Sequence, residues 1–374
     1  MINQKTIPLA HPTFNGNEKK YVLECLEADW VSSTGRFVKL FEDAFARYCA
    51  TSHGIACNSG TSALHLALAG LGIGEGDEVI MPTLTFVATA NAVRYCGARP
   101  VFIDSEPETM TLNPQLLESC LTSRTKGIIV VHLYGHPADM RPITDFARAN
   151  GLFVIEDAAE AHGALYRGRR VGTLGDAAAF SFFGNKIVTT GEGGMVTTSD
   201  NDLSDRIRML RGHGMDPGLR YWFPVIGYNY RMTNIAAAIG LAQLEQIEGF
   251  LDRRIAIAQA YRAALALLED FLILPSQQPW ARHAFWSYPV VIRDTVLIER
   301  DDLMSRLQGD GIETRPVFYP MHILPPHRQG SARFPVAERL ARRGITLPMH
   351  TLLSNEDVIY IAERIGHWCR ILSA

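Results

Sequence analysis

The segment Lys126–Asp157, KGIIVVHLYGHPADMRPITDFARANGLFVIED, predicts a strand, a helix and a second strand in succession. Its first part, Lys126–His132, is apolar and rich in β-branched residues, which favour strands. Asp139–Asn150 is predicted to be helical and is followed by Gly151, a residue that commonly ends helices. Leu152–Glu156 is again a continuous apolar run. Apolar strands that alternate with helices are typical of a parallel sheet covered on both faces.

The same alternation extends in both directions from this segment. The predicted strands are short and apolar, and the helices between them are amphipathic. Further strands are predicted at His53–Cys57, Glu78–Met81, Arg99–Ile103, Ala177–Phe182 and Met195–Ser199, and further helices at Thr61–Gly72, Thr85–Cys96 and Asn113–Leu121. Asn113 and Pro114 suit the cap and the first position of their helix. The expected fold class is therefore α/β.

The pattern changes in the C-terminal third of the chain. A long helix is predicted for Thr233–Glu269, with Gly249 as a candidate for a kink. Beyond it the sequence predicts strands at Ala284–Ile292 and Ile312–Pro316 and helices at Asp301–Gly309 and Asn355–Leu372. The length of 374 residues exceeds the usual domain size of about 150 residues. We therefore predict two domains, a large α/β domain over residues 1–245 and a smaller α+β domain over residues 246–374.

The composition is that of a globular protein. Hydrophobic residues make up 47% of the chain and charged residues 20%, and the formal charge of −3 leaves no basic footprint for nucleic acid. No apolar run approaches the roughly 20 residues needed to cross a bilayer, and the N-terminus lacks the apolar region of a signal peptide. Six scattered cysteines without a CxxC pair indicate reduced, mostly buried thiols. We expect a cytoplasmic protein that binds neither nucleic acid nor membranes.

The segment CNSGTS, Cys57–Ser62, joins a predicted strand to a predicted helix. A helix N-terminus presents backbone N–H groups and the positive end of the helix dipole, and Gly60 permits the close approach of an anion. The segment is therefore a candidate phosphate cradle. Simple capping of the helix by Ser59 or Thr61 is the alternative interpretation.

Two titratable residues also follow predicted strands. Asp157 comes at the carboxyl end of a strand, where ligands of open α/β sheets bind, and could hold a protonated ring nitrogen. Lys186 lies in the turn of FSFFGNK, Phe180–Lys186, where desolvation would lower its pKa and make it a nucleophile for carbonyl groups. The alternatives are an ion pair or helix cap for Asp157 and a solvated surface position for Lys186.

The pair His132 and His136 has the spacing of a zinc site on a helix. Here the segment leaves a strand and turns at Gly135 and Pro137, so the two side chains do not share a helical face. No metal site is predicted.

Taken together, these motifs indicate one cofactor. Pyridoxal phosphate needs an anion cradle, a carboxylate for its pyridine nitrogen, an aromatic platform and a lysine. The chain offers Ser59–Thr61, Asp157, Phe86 and Lys186, all at junctions between strands and helices.

The same motifs resemble those of the nucleotide-sugar aminotransferases, a family of enzymes that depend on pyridoxal phosphate. The resemblance covers nearly the whole chain. It is carried by TGRFVKLFE (Thr34–Glu42), CNSGTSALHLAL (Cys57–Leu68), GDEVIMPTLTFVATANAV (Gly76–Val93), IEDAAEAHGA (Ile155–Ala164), GDAAAFSFFGNKIVTTGEGGM (Gly175–Met195) and IGYNYRMTNI (Ile226–Ile235). It implies the type I aminotransferase fold, in which a large domain with a mostly parallel mixed sheet binds the cofactor and a smaller C-terminal α+β domain follows.

The resemblance also implies a role for individual residues. Lys186 would form the imine with the cofactor, and Asp157 would contact its pyridine nitrogen. Further cofactor contacts are implied for Phe86 at the ring, for Gly60, Thr61 and Ser181 at the phosphate, for Glu160 beside the phenolic oxygen, and for Asn229 at the phosphate of the neighbouring subunit's cofactor. The last contact implies a homodimer with shared active sites. Because an anionic Glu160 would repel a phenolate, we expect its carboxyl to be protonated or paired.

Within the family, the resemblance is strongest to members that move an amino group from L-glutamate to C4 of GDP-4-keto-6-deoxy-mannose, a step in O-antigen sugar synthesis. Pyridoxamine phosphate is the expected intermediate form of the cofactor. Candidate residues of the substrate site are His213, Arg231, Tyr319 and His322.

Other functions remain open from the sequence. They are amination of a UDP- or dTDP-linked keto sugar, removal of a sugar 3-hydroxyl, amino-acid transamination or cysteine desulfuration, and a regulatory role without catalysis. Lys186 argues against the dehydratases that resemble this chain, which carry histidine instead. A non-catalytic relative would be expected to lack Lys186 or Asp157.

Overall fold

The computed structural model describes residues 6–373 of the chain. In chain order the strands are β1 (His53–Cys57), β2 (Glu78–Pro82), β3 (Arg99–Ile103), β4 (Thr125–Val131), β5 (Phe153–Asp157), β6 (Leu165–Tyr166), β7 (Arg169–Arg170), β8 (Ala177–Ser181), β9 (Gly194–Thr198), β10 (Leu272–Ile273), β11 (Ala281–Arg282), β12 (Tyr288–Ile292), β13 (Arg315–Pro316) and β14 (Gly344–Leu347). The α-helices are α1 (Glu18–Glu27), α2 (Arg36–Cys49), α3 (Gly60–Gly70), α4 (Val87–Tyr95), α5 (Leu117–Cys120), α6 (Met140–Asn150), α7 (Asn201–Arg211), α8 (Asn234–Leu244), α9 (Ile247–Leu265), α10 (Arg300–Gly309), α11 (Pro335–Arg343) and α12 (Asn355–Ser373).

A seven-stranded sheet of order β1-β9-β8-β5-β4-β2-β3 forms the centre of the larger part of the molecule. β9 runs antiparallel to its neighbours β1 and β8, whereas every other neighbouring pair in this sheet is parallel. The prediction of a mostly parallel mixed sheet is therefore confirmed.

Side chains of each strand alternate between two apolar cores on opposite faces of the sheet, as strand geometry requires. In β4, Ile129 and Val131 pack on the face covered by α3 and α4, whereas Ile128 and Val130 pack on the face covered by α5 and α6. The helices α2 and α8 extend this second face beyond β8. Burial on both faces explains why the sequence of β4 is continuously apolar.

The end of α6 shows how the local sequence sets the position of β5. Gly151 adopts the left-handed conformation, with φ of 63°, directly after α6. Glycine tolerates this conformation without steric cost, so the chain turns there and re-enters the sheet as β5. The prediction that Gly151 ends this helix is confirmed.

A second, antiparallel sheet of order β10-β12-β14-β13 lies in the C-terminal part of the chain. α9, α10 and α12 enclose its apolar core. The N-terminal segment joins this part, because Ile7 pairs with Ile312 and the Met349 N–H donates to Leu9. A small third sheet connects β11 with β6 and β7. The predicted division after residue 245 falls between α8 and α9 and remains a prediction.

The single long helix predicted for Thr233–Glu269 is wrong. The chain forms α8 and α9 instead, and they are separated at Glu245 and Gln246, where Gln246 has φ of −111° and ψ of 1°. The amide of Gln246 donates to Glu18 of α1, so a distant helix contacts the break. Gly249 lies inside α9 and does not interrupt it.

Two C-terminal strands are shorter than predicted. The strand predicted from Ala284 begins at Tyr288, because Phe285 has φ of 48° and Ala284 bonds to Gly135 instead of a neighbouring strand. The strand predicted for Ile312–Pro316 is reduced to Arg315–Pro316. Ile312 pairs with Ile7 outside this sheet, as Ala284 bonds to Gly135, so both shortened strands involve contacts with residues far away in the sequence.

Two further predictions concern reduced cysteines and membrane-spanning segments. All six cysteines are free, and Cys25, Cys49, Cys57 and Cys369 are buried. No helix among residues 6–373 combines the length and apolar character needed to span a bilayer.

Candidate active site

The carboxyl ends of β1, β5 and β8 meet at one edge of the large sheet, and a cavity of about 350 Å³ lies beside them. One wall contains the predicted cofactor residues that follow these strands. The lining also contains Arg315 and Pro316 of β13 and Thr346 of β14. The cavity is therefore built from both the large and the small sheet.

The start of α3 forms one end of the cavity. Ser59 caps the helix, and its Oγ accepts the Ser62 N–H at 3.1 Å, while Gly60 and Thr61 line the cavity. A Cβ atom on Gly60 would lie only 2.7 Å from Cβ of Ser181 in β8. Glycine therefore permits the helix N-terminus and the Ser181 hydroxyl to lie side by side. Capping by Ser59, one of the two alternatives in the sequence, is therefore present, and the phosphate cradle remains a prediction.

Asp157 is the last residue of β5 and its carboxyl is buried. Its Oδ2 accepts the Thr89 hydroxyl at 2.7 Å, and its Oδ1 accepts the Ala159 N–H at 3.2 Å. Burial raises the pKa of Asp157, and these two hydrogen bonds oppose the shift. The carboxylate is thus held in a fixed orientation in the cavity wall, where a cationic partner would stabilise it.

Lys186 lies in a tight turn after β8, closed by its own N–H, which donates to Phe183 at 2.9 Å. Its Nζ lies 3.6 Å from Oε1 of Glu160 and 4.1 Å from the ring centroid of Trp286. Burial lowers the pKa of Lys186, whereas the carboxylates of Glu160 and Asp157 raise it. A lowered pKa increases the fraction of neutral amine, which is the nucleophilic form.

Glu160 is paired from two sides. Besides Lys186, the backbone N–H of Tyr134 donates to its Oε2 at 2.8 Å. Burial raises the pKa of Glu160 to about 7, against the opposing effect of Lys186. Near neutral pH this carboxyl can therefore accept or release a proton within reach of the lysine.

Aromatic rings form much of the remaining wall. Tyr134 stacks against Trp286, with centroids 6.2 Å apart, and against Phe318, at 5.5 Å. Phe86, at the cap of α4, lies 5.7 Å from Phe318, lines the cavity and is 55% exposed. An exposed ring in a cavity offers a face on which a flat ligand can stack.

Three predicted residues lie outside the cavity lining. Asn229, His213 and Arg231 form a cluster of their own, in which Nη2 of Arg231 lies 3.2 Å from Nε2 of His213 and 3.3 Å from Oδ1 of Asn229. The segment between His213 and Asn229 exposes a row of apolar side chains. They are Leu219, Tyr221, Trp222, Phe223, Val225 and Ile226.

Tyr319 and His322 are likewise not among the residues that line the cavity. The Tyr319 hydroxyl accepts from Arg300 at 3.4 Å. His322 is buried, with Nδ1 at 2.8 Å from Oγ1 of Thr83 and Nε2 at 3.3 Å from Glu338. The substrate roles inferred for these two residues remain predictions.

His132 and His136 form hydrogen bonds with different partners. Nε2 of His132 donates to Glu156 at 3.0 Å, because its Nδ1 accepts the Ala138 N–H. His136 bonds to the carbonyl of Pro137. Across residues 6–373, no group of three or more His, Cys, Asp and Glu side chains is placed to hold a metal ion.

Three residues that line or support the cavity were missed by the reasoning from sequence: Thr89, Tyr134 and Trp286. Arg315 belongs to the segment Arg315–His322, which resembles a family segment near the substrate site, but no role was assigned to it. Tyr134 follows the carboxyl end of β4, a position that could have indicated a ligand contact. Trp286 comes from the C-terminal part of the chain, and no local pattern signals its approach to Lys186.

Comparison with known proteins places this site in a family. The model of the DegT/DnrJ/EryC1/StrS aminotransferase family matches residues 12–366. The chain is 53% identical over 353 residues to a GDP-perosamine synthase of Caulobacter vibrioides, covering 94% of this chain and 95% of that protein. It is 48% identical over 364 residues to a GDP-perosamine synthase of Escherichia coli O157:H7, covering 97% and 99%.

A solved structure shows the same fold. The crystal structure of Streptomyces venezuelae DesV in complex with a ketimine intermediate superposes with a TM-score of 0.89 at 36% identity, covering 94% of both chains. The protein is therefore a pyridoxal-phosphate-dependent aminotransferase of the DegT/DnrJ/EryC1/StrS family.

Proposed function

We propose that this protein transfers the amino group of L-glutamate to C4 of GDP-4-keto-6-deoxy-mannose and so forms GDP-perosamine. The placement of the buried Lys186 amine in one cavity with Asp157 and Glu160 carries the transamination part of the proposal. The GDP-linked acceptor is supported by the near full-length identity of 53% and 48% to two GDP-perosamine synthases.

The cavity fits the cofactor at each end. Gly60, Thr61 and Ser181 would hold the phosphate, because the missing Cβ of Gly60 brings the helix N-terminus beside the Ser181 hydroxyl. Asp157 would hold the protonated ring nitrogen, and Phe86 would lie against the ring. Pyridoxal phosphate supplies the aldehyde that takes up the amino group and a ring that withdraws electrons from the donor's α-carbon.

The side chains of the chain itself then move protons. In the donor half the neutral amine of Lys186 would take the proton from the α-carbon of glutamate and deliver it to the cofactor carbon that bears the nitrogen. In the acceptor half it would move a proton from that carbon to C4 of the sugar. Glu160, with a pKa of about 7, lies beside this amine. Its carboxyl can be ionised when Lys186 is protonated and protonated when Lys186 is neutral. Asp157 would pair with the protonated ring nitrogen, which favours the ionised carboxylate.

The acceptor is tested by incubating the protein and cofactor with glutamate and, separately, GDP-, UDP- and dTDP-linked 4-keto-6-deoxy sugars. We expect amination only of the GDP-linked sugar, with the nitrogen at C4 by mass spectrometry and NMR. Turnover of the dTDP sugar alone would overturn the GDP assignment and leave the transaminase assignment intact.

Lys186 is tested by absorption spectroscopy of the reconstituted Lys186→Ala variant. We expect the visible band of the bound cofactor to change and transamination to be lost. Lys126→Ala, which removes an exposed lysine at the start of β4, is the matched control. An unchanged spectrum of Lys186→Ala would contradict the assignment.

We further propose that two copies of the chain form a homodimer in the cytoplasm. The exposed apolar side chains from Leu219 to Ile226 support an interface there, because monomers rarely expose such patches. In the dimer Asn229 would reach the phosphate in the neighbouring subunit. Free cysteines are typical of a reducing compartment.

A further inference from the structure

Arg315 is a second cation in the cavity wall, and none of the steps above uses it. Among the described residues that line the cavity, Lys186 and Arg315 carry positive charge, whereas Asp157, Glu160 and Glu192 carry carboxyls. The Lys186 amine already faces Glu160 at 3.6 Å. Arg315 is therefore the cation available to an anionic ligand.

The backbone of Arg315 is fixed while its guanidinium stays accessible. Arg315 pairs with Thr346 of β14, whose hydroxyl also donates to the Arg315 carbonyl at 3.2 Å. Its Nη2 lies 3.3 Å from Oε1 of Glu313, in an ion pair whose side chains are 61% and 38% exposed. Oε2 of Glu313 accepts the N–H of Leu9, another cavity residue, at 3.0 Å. An exposed pair of this kind is weak, so a ligand anion can replace Glu313.

The carboxyls in the cavity wall indicate which group of a ligand Arg315 would bind. An amino-acid donor brings an α-carboxylate, and glutamate brings a second carboxylate, into a wall that already contains three carboxyls. Uncompensated anions in a confined site are costly. A planar guanidinium pairs with a carboxylate through two parallel hydrogen bonds.

The size of the cavity favours the donor over the nucleotide as the partner of Arg315. A volume of about 350 Å³ is near the lower end of the range of about 300–1,000 Å³ for small-molecule sites. The cofactor would take up part of this volume, so the space left beside Lys186 suits a small amino acid, whereas the base and diphosphate of a nucleotide sugar must extend outside. A separate basic pair, Arg231 and His213, lies outside the cavity and suits such a diphosphate.

We propose that Arg315 binds a carboxylate of the amino-acid donor and determines the preference for glutamate, with Glu313 orienting the guanidinium until the donor arrives. This assignment rests on the proposed function, because it presumes a transaminase that uses an anionic donor. It assigns Arg315 no contact with the nucleotide sugar.

The test separates the two halves of the exchange in the cofactor-loaded protein. Glutamate alone, followed by absorbance, reports the donor half. The aminated protein with GDP-linked keto sugar reports the acceptor half. The variants are Arg315→Gln and Arg315→Lys, and Arg141→Gln, an exposed arginine of α6, is the matched control. Binding of glutarate, a dicarboxylate without an amino group, is measured by calorimetry in all four proteins.

For Arg315→Gln we expect the half-saturating glutamate concentration and the glutarate dissociation constant to rise about tenfold or more, because a charged hydrogen-bond pair is lost. Arg315→Lys should fall between Arg315→Gln and wild type. The rate of the acceptor half should stay within about twofold of that of Arg141→Gln. The thermal midpoint of unfolding should stay within a few degrees of that of the same control.

Weakened binding of the sugar with unchanged glutamate binding would overturn the proposal and assign Arg315 to the diphosphate. Unchanged values in both halves would also overturn it. A wild-type protein that takes up the amino group of glutamate but aminates no GDP-linked sugar would refute the proposed acceptor alone, because the donor half is measured without it.

Discussion

Asp157 has to stay ionised in a place where its surroundings favour the neutral carboxyl. Burial raises its pKa, and the hydroxyl of Thr89 donates to the charged form at 2.7 Å and lowers the pKa again. Thr89 is itself fully buried, with Oγ1 of Thr85 at 3.0 Å. Thr89 therefore orients Asp157 and favours its ionised form.

Replacing Thr89 by valine removes this donor and keeps the shape of the side chain. The pKa of Asp157 should rise further, so the carboxylate becomes protonated at a higher pH and cofactor binding is lost earlier as the pH falls. We expect the acid limb of cofactor binding to move up by about one pH unit, the equivalent of about 1.4 kcal/mol. A titration of cofactor affinity against pH measures the shift, and Thr89→Ser should retain the wild-type profile. An acid limb at the same pH in Thr89→Val would show that the hydrogen bond has no such role.

Glu160 should control the pKa of Lys186. Its carboxylate raises the lysine pKa against the effect of burial, so Glu160→Gln should lower that pKa, by about one unit for an opposite charge at this distance. The rate at which an amine-reactive acylating reagent labels Lys186 in the cofactor-free protein, followed by peptide mass spectrometry, should reach half its maximum at a lower pH. Glu192→Gln, in the same cavity wall, is the control. Equal half-points in all three proteins would contradict this coupling.

At the scale of secondary structure, the start of α3 and the interior of α9 offer two glycines with opposite roles. A Cβ atom on Gly60 would meet Ser181 at 2.7 Å, whereas a Cβ on Gly249 would meet nothing within 4 Å. Gly60 therefore permits a close approach that the cavity needs, and Gly249 is a glycine in an ordinary helix.

Alanine at these two positions should change the free energy of unfolding in opposite directions. Gly60→Ala should lower it by about 1–3 kcal/mol through overpacking and weaken cofactor binding. Gly249→Ala should raise it by about 0.5–1 kcal/mol, because alanine loses less conformational entropy in a helix. Denaturant unfolding of the cofactor-free proteins measures both. Destabilisation by Gly249→Ala would indicate a role for that glycine that the helix does not show.

The same two elements show what the sequence could predict. The junction of β1 and α3, the end of α6 at Gly151 and the strands of the large sheet follow from local patterns of apolar residues, caps and glycines. The break between α8 and α9 does not, because it coincides with contacts from Glu18 in α1. A pattern of apolar spacing continues across such a break, so the sequence predicted one helix.

On the scale of the whole molecule, the cavity depends on two sheets that are distant in the chain. The predicted residues Gly60, Asp157 and Lys186 all follow strands of the large sheet, where parallel topology brings carboxyl ends together. The lining residues Trp286 and Arg315 come from the C-terminal part of the chain. The local sequence therefore indicated residues that the structure brings into one cavity, whereas the approach of Trp286 depends on packing between distant parts of the chain and could not be predicted.

The remaining predicted cofactor residue, Asn229, lies outside the cavity of its own chain and near an exposed apolar segment. A dimer that shares its sites would resolve this separation, with Lys186 from one subunit and Asn229 from its neighbour at each cofactor. Ile226, the most exposed apolar residue of the segment at 91%, should then be buried by the second copy. Ile226→Asp should weaken the dimer in sedimentation, whereas Leu267→Asp, at an equally exposed site on the far C-terminal part, should not.

Mixed dimers test the sharing itself. Lys186→Ala and Asn229→Ala should each be strongly impaired alone, because each removes one contributor from both sites. After unfolding and refolding together, about half of the dimers should be hybrids, and each hybrid should contain one site with neither residue and one site with both. Activity should therefore recover to about a quarter of the wild-type value, measured as amino-group transfer per dimer. Mixing without exchange of subunits is the control. Recovery no greater than the sum of the separate variants would show that each cofactor site uses residues of a single chain.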